Sequence, residues 1–269
     1  LIFRLADSLF ERGAYNIAAI EYERVVFLTS DFAVKTEALL RKAECLKQMQ
    51  LFEKAEQNLN RANFAGLNDT LIYRVRFQSA LCAYLGGNFS NAESQLIQIH
   101  YFIKDTILTM PSLVLYALVL NELNRWDEAK GKIVEWISLT DPPPAVKDSL
   151  LIIISEIYHA GDYPKFKKLK KAQTLSTFLP GAGQLYAGYL GEGLTNVSLQ
   201  LAALAFTGYA FLSHYYLTAF IVGYGIFSKF YIGGINRLEY LVNKKNYELL
   251  RGYNHRLKEE IIDLFGDNL

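Results

Sequence analysis

The residue types that carry chemistry are few in this chain, and they are poorly placed to do any. His100, His159, His214 and His255 are scattered over different segments with no metal-ligand spacing. Cys45 and Cys82 are too few for a disulfide framework, and they read as small residues packed inside helices. Glu156, His159 and Asp162 lie close in sequence, a grouping that reads as an ionic cluster at a helix end. No Gly-x-Ser-x-Gly nucleophile motif occurs. The glycines between Gly181 and Gly193 imitate a phosphate loop, but no Gly-Lys-Ser/Thr ending follows and no strand precedes them. These observations predict neither an enzyme nor a cofactor nor a metal centre. Two cationic features stand apart: the dense run Lys165, Lys167, Lys168, Lys170 and Lys171, and Lys229, alone near the end of a long apolar stretch.

The elements that must position these residues follow from a periodicity. Gly13, Gln50, Gly87, Asn124 and Gly161 recur every 37 residues. Tyr15, Phe52, Phe89, Trp126 and Tyr163 stand two residues later, and Ala18, Ala55, Ala92 and Ala129 three beyond those, with Phe166 breaking the series. Ala6, Ala43, Ala80, Ala117 and Ile154 precede the first column by seven residues. A fixed period of this size marks a solenoid. In the first unit Ile2, Leu5, Ala6 and Leu9 form a helical stripe, Gly13 closes the helix, and Ala18, Tyr22 and Val25 form the next stripe. Pro111 and Pro142–Pro144 sit where first helices begin, a position that needs no backbone donor.

The columns Ala6, Gly13, Tyr15, Ala18 and Tyr22 resemble the tetratricopeptide repeat, and the later units echo them, with Leu59, Leu96 and Ile133 in the last column. The resemblance covers about residues 1–170. It implies an all-α solenoid of about 4.5 units over 1–172, with first helices lining a concave face that holds a partner segment. The 37-residue period exceeds the family's usual 34, so each turn between units is expected to carry about three extra residues. The basic columns that clamp a peptide carboxylate in one version of the family are missing here. Phe77, Leu81, Tyr84, Val114 and Leu118 make that face apolar instead. Two readings stay open: a groove for an apolar segment of a partner protein, or a face that packs against other parts of the same chain.

Formal net charge is +1, with 28 Lys and Arg against 27 Asp and Glu, so no global charge calls for nucleic acid. The average hides an asymmetry, because the 36 residues from Gly193 to Ser228 contain no Asp, Glu, Lys or Arg. That length allows two crossings of a bilayer, over Leu194–Ser213 and Tyr216–Ile235, within a membrane domain 173–235. His214, Tyr215 and Tyr216 form the turn, with the two tyrosines at interfacial depth. Lys167, Lys168, Lys170 and Lys171 read as headgroup anchors, and Lys229 as a side chain snorkelling to the interface. Residues 174–183 read as a short apolar or interfacial helix ending at Pro180-Gly181, followed by a second short helix around Gln184–Leu190.

Pro180, Gly181, Gly183, Gln184 and Tyr186, followed by two apolar segments, resemble the Pro-Gly-x-Gly-Gln-x-Tyr opening of a bacterial family of small membrane hairpin domains. That resemblance implies a location more than an activity. Over 236–269, Leu238, Leu241, Val242, Leu249, Leu257, Ile261 and Leu264 continue an amphipathic helix, expected to dock on the repeats as a cap. Basic flanks at both ends of the apolar block place repeats and tail in the cytoplasm, whereas a signal peptide before Leu1 would place them in the periplasm. Taken together, these features predict an adaptor in the bacterial inner membrane, an accessory subunit of an envelope assembly or protein-export complex. It would contact a protein partner and the lipid bilayer, and no nucleic acid. The alternative is an integral structural subunit whose hairpin carries the function.

Overall fold

The computed structural model describes residues 2–266, and among them every regular element is helical. The chain divides into two compact units: Leu1–Ala160 together with Arg256–Leu269, and Gly161–His255. The sequence boundaries near 172 and 235 therefore shift. The basic run belongs with the second unit, and the terminal helix is shared between the two.

In the first unit the helices form successive pairs: α1 (Arg4–Glu11) with α2 (Tyr15–Leu28), α3 (Phe32–Gln48) with α4 (Phe52–Leu59), and α5 (Asp69–Leu85) with α6 (Phe89–Phe102). A short α7 (Thr106–Thr109) precedes the fourth pair, α8 (Ser112–Glu122) and α9 (Trp126–Thr140), and α10 (Pro144–Ile157) packs on α9. Each helix packs chiefly on its neighbours in sequence.

One backbone device closes the first helix of all four complete pairs. Gly13, Gln50, Gly87 and Asn124 have φ of 74°, 58°, 77° and 62°. In each case the residue's N–H donates to the carbonyl three back, and the next N–H to the carbonyl five back. Gly13 thus bonds Phe10 and Ala14 bonds Leu9, while Asn124 bonds Asn121 and Arg125 bonds Leu120. This is the double bond of a left-handed helix cap, and it fixes how the chain enters the second helix. The alanines flanking it, Ala6, Ala43, Ala80, Ala117, Ala18, Ala55, Ala92 and Ala129, are all at most 2% exposed. Small residues there let the paired helices approach closely. Aromatic contacts fill the flank, Phe10 against Tyr15 at 5.2 Å and Tyr84 against Phe89 at 5.8 Å. Cys45 and Cys82 are fully buried.

The extra length is not spread evenly over the turns between units. Linkers 29–31 and 141–143 are three residues long, whereas 60–68 and 103–111 run to nine, the latter containing α7. The short α4 and α8 restore the period. The fifth unit has a first helix only. Gly161 falls in a 3₁₀ turn (Ala160–Asp162) and does not adopt the left-handed cap.

The second unit begins in the 3₁₀ turn and continues through irregular chain to α11 (Leu169–Phe178), then α12 (Ala182–Ala187) and α13 (Leu190–Leu212). After a turn at Ser213–Tyr215 come α14 (Tyr216–Thr218), a wider π-type stretch (Ala219–Tyr224) and α15 (Gly225–Phe265). His214 closes α13 at φ 63°, with the same paired bonds to Phe211 and Ala210. The two arms run antiparallel: Gly223 faces Thr207, and eleven residues on, Gly234 faces Asn196, eleven residues back. Among the described residues, only the stretch Tyr216–Phe265 is long and apolar enough to cross a membrane by length and composition. Thr195, Asn196, Ser198 and Gln200 make α13 more polar than the continuous crossing expected there.

Candidate functional site

The apolar face predicted on the repeats has been put to use within the first unit. Val114 is fully buried, Leu118 is 3% exposed and Tyr84 8%, while Phe77 and Leu81 are half-buried. α8 is buried from Ser112 to Asn121, which is why its sequence is apolar on every side. The C-terminal segment contributes to the same core. Leu257, Ile261 and Phe265, one helical turn apart, are at most 1% exposed. The Phe265 ring meets Trp136 edge-on at 5.0 Å, and the Lys258 ammonium lies 5.3 Å over the Tyr84 ring. Burial pushes the Tyr84 phenol above its ordinary value. Of the five groove residues predicted, Tyr84, Val114 and Leu118 are thus core, and Phe77 and Leu81 remain partly accessible. Phe77 stacks on Tyr73 at 5.6 Å. The C-terminal stripe turns through Phe265, and Leu264 lies off it at 37% exposure.

Charged ladders tie one unit to the next at about one repeat length. Arg41 reaches Asp7 at 2.7 Å, Arg74 reaches Glu37 at 2.9 Å, and Arg61 reaches Glu23 at 2.7 Å. The Arg61 hydrogen bond, opposed by burial and helped by Lys42, lowers the Glu23 carboxyl to about 2. The buried Asn121 amide donates to the Tyr158 hydroxyl at 2.8 Å, linking the same column of consecutive units. Arg76 was missed by the sequence reading. Its guanidinium stacks 4.6 Å over Phe64 and donates to Gln95 and Gln98, cross-bracing α5 and α6. Its partners come from the 60–68 linker and from α6, so no local pattern marks it.

In the second unit the Pro-Gly-x-Gly-Gln-x-Tyr residues form a joint. Gly181 takes the left-handed conformation at φ 85° and starts α12, so close to α13 that a Cβ would sit 2.6 Å from the Gly193 carbonyl oxygen. Gly183 admits no side chain either, because Ser176 Oγ would lie 2.5 Å and Leu238 2.9 Å from its Cβ. The Ser176 hydroxyl accepts from Gly183 N–H at 2.9 Å and donates to Gln184 Oε1 at 3.1 Å. Gln184 Nε2 donates to the Gly234 carbonyl at 2.9 Å. Gln184 is 1% exposed, so this chain of bonds is what makes its burial tolerable. Ala172, Ala187, Leu238, Leu241 and Val242 form the apolar core around the joint.

No family model, curated protein or solved structure matches the chain.

The chemistry of the joint therefore rests on its own residues. The Tyr186 hydroxyl accepts from Lys168 N–H at 3.2 Å, and the ammonium groups of Lys167 and Lys171 lie 4.9 and 5.1 Å over its ring. Asn246 brackets Lys167 by accepting from its N–H at 2.7 Å and donating to its carbonyl at 2.9 Å. Two of the four lysines predicted as anchors thus grip an aromatic ring, while Lys168 and Lys170 point outward. Beyond the joint the surface of the pair is strongly apolar. Tyr209, Phe211, Leu212, Tyr215, Leu217, Phe220 and Ile221 are each at least 59% exposed. Lys229 is exposed and has no ion-pair partner among the described residues. Among those residues no cluster of three metal-binding side chains occurs.

Proposed function

We propose that this chain is a membrane-anchored interaction protein: an arm of tetratricopeptide-like repeats on a two-helix membrane hairpin, acting as an adaptor or accessory subunit of a bacterial envelope assembly. The observation that carries the reading is the outward apolar surface of α13 and the start of α15. An uncharged stretch of 36 residues that turns its leucines, phenylalanines and tyrosines to the exterior has only lipid or another apolar body as a stable environment. The repeats supply the interaction arm, and no bond chemistry is assigned to them. Phe77 and Leu81 are the accessible remainder of the apolar face, beside a core that already accepts an apolar helical stripe from the same chain.

Photo-crosslinking from positions 77 and 81 in native membranes tests the adaptor. A discrete partner band is expected, lost on Phe77→Ser with Leu81→Ser while membrane flotation and thermal stability are kept. Flotation without any crosslink from either position would remove the adaptor reading and leave the anchor. The joint built on Gln184 supports a second reading, in which the hairpin itself performs the function, because a passive anchor needs no buried polar network. Exchange of residues 194–235 for an unrelated two-helix anchor separates the two: an adaptor survives the exchange, and a working hairpin does not.

A further inference from the structure

A cavity of about 500 Å³ opens between α13 and α15 in the second unit. Leu199, Phe230 and the bare backbone at Gly233 form its apolar wall, and Glu192, Asn196, Lys229 and Arg237 are among its polar lining. Leu199 and Phe230 are 41% and 37% exposed, so the cavity opens on the outer apolar surface. Its charges do not cancel. Arg237 is held by Glu192, with Nε and Nη2 at 3.2 and 3.1 Å from its oxygens. Lys229, two helical turns before Arg237 on the same face, is left without a counter-charge among the described residues.

We propose that this cavity is a specific site for one anionic phospholipid, with the headgroup phosphate at Lys229 and an acyl chain along Leu199, Gly233 and Phe230. The inference rests on the reading of α13 and α15 as a membrane hairpin. An ammonium group at the end of an apolar span is stable when an anion neutralises it. Basic pockets between membrane helices are suited to acidic headgroups. The apolar wall argues for lipid over free phosphate, because a small anion would leave that surface uncovered. Asn196 provides a further amide in the lining, beside Gly234, where a side chain would collide with it.

The test uses the full chain reconstituted in vesicles of mixed phosphatidylglycerol and phosphatidylcholine, then released into mild detergent for native mass spectrometry. One retained phosphatidylglycerol per chain is expected, enriched about fivefold over phosphatidylcholine, the preference that one lysine shows for a net-negative headgroup over a zwitterionic one. Lys229→Gln should abolish the enrichment, and Lys170→Gln, which removes an equal charge from the exposed basic run, should not. Gly233→Leu keeps the charge but fills the cavity. A side chain there meets no atom within 4 Å of its Cβ, so the variant should fold and lose the lipid. Failure to float with the vesicles would overturn the membrane reading and the site with it. Flotation with no retained lipid, with equal retention in Lys229→Gln, or with displacement by inorganic phosphate would overturn the site alone.

Discussion

At the scale of single residues, the left-handed caps carry the clearest energetic signature. Gln50 and Asn124 hold a conformation that costs an ordinary L-residue about 1–2 kcal/mol, which asparagine relieves by local hydrogen bonding and glycine avoids. Gln50→Gly is therefore expected to raise unfolding stability by about 1 kcal/mol, reduced somewhat by glycine's larger loss of chain entropy. Asn124→Gly should give less, and denaturant titration of the two variants measures the difference. Glu23 makes a second residue-scale prediction. Its carboxyl falls from an ordinary 4.5 to about 2 in the folded chain, chiefly through Arg61. A depressed carboxylate stabilises the fold above its unfolded value and loses that contribution as pH falls towards the folded value. Melting temperature should thus drop between about pH 4.5 and 2, and Glu23→Gln should flatten that part of the profile.

At the scale of elements, the joint around α12 and the end of α15 are the places where packing is least forgiving. Gly183→Ala forces a methyl group against Ser176, Leu238 and the Ala172 carbonyl, and should destabilise the second unit by about 1–3 kcal/mol. Its signature would be early loss of the Ser176–Gln184 network, read by hydrogen exchange at the Gly183 amide. Phe265 is 1% exposed and seated on Trp136, so Phe265→Ala should cost about 3–5 kcal/mol. The emission of Trp136 should shift to the red as its environment opens to water. A variant that kept native fluorescence and stability would show that the C-terminal stripe is dispensable to the repeat core.

At the scale of the whole molecule, one helix of 41 residues, α15, contributes to both compact units. Residues up to His255 belong with the second unit, and those from Arg256 with the first. Single-cysteine variants at His214 and at Lys170 and Tyr247, in a chain with Cys45 and Cys82 replaced by alanine, test this topology. In sealed vesicles a membrane-impermeant maleimide should label position 214 from one side, and 170 and 247 from the other. Labelling of all three from one side would mean that the pair lies on the bilayer and does not cross it.

The sequence by itself determined the repeat and its local devices. The 37-residue period, the four left-handed cap positions, the alanine columns and the uncharged block all depend on short-range rules: backbone conformation at one residue, helical spacing over a few turns, and composition over the length of a span. Only the tertiary structure decided the outcome wherever partners come from distant parts of the chain. It made core of Tyr84, Val114 and Leu118, shared a core between Phe265 and α9, and gave the second motif its meaning as a joint through Ser176, Leu238 and Gly234. It also left Lys229 beside a cavity with no counter-charge among the described residues. The physical reason is that burial and charge compensation are properties of what surrounds a side chain, and no periodicity along the chain encodes which distant residue supplies those surroundings.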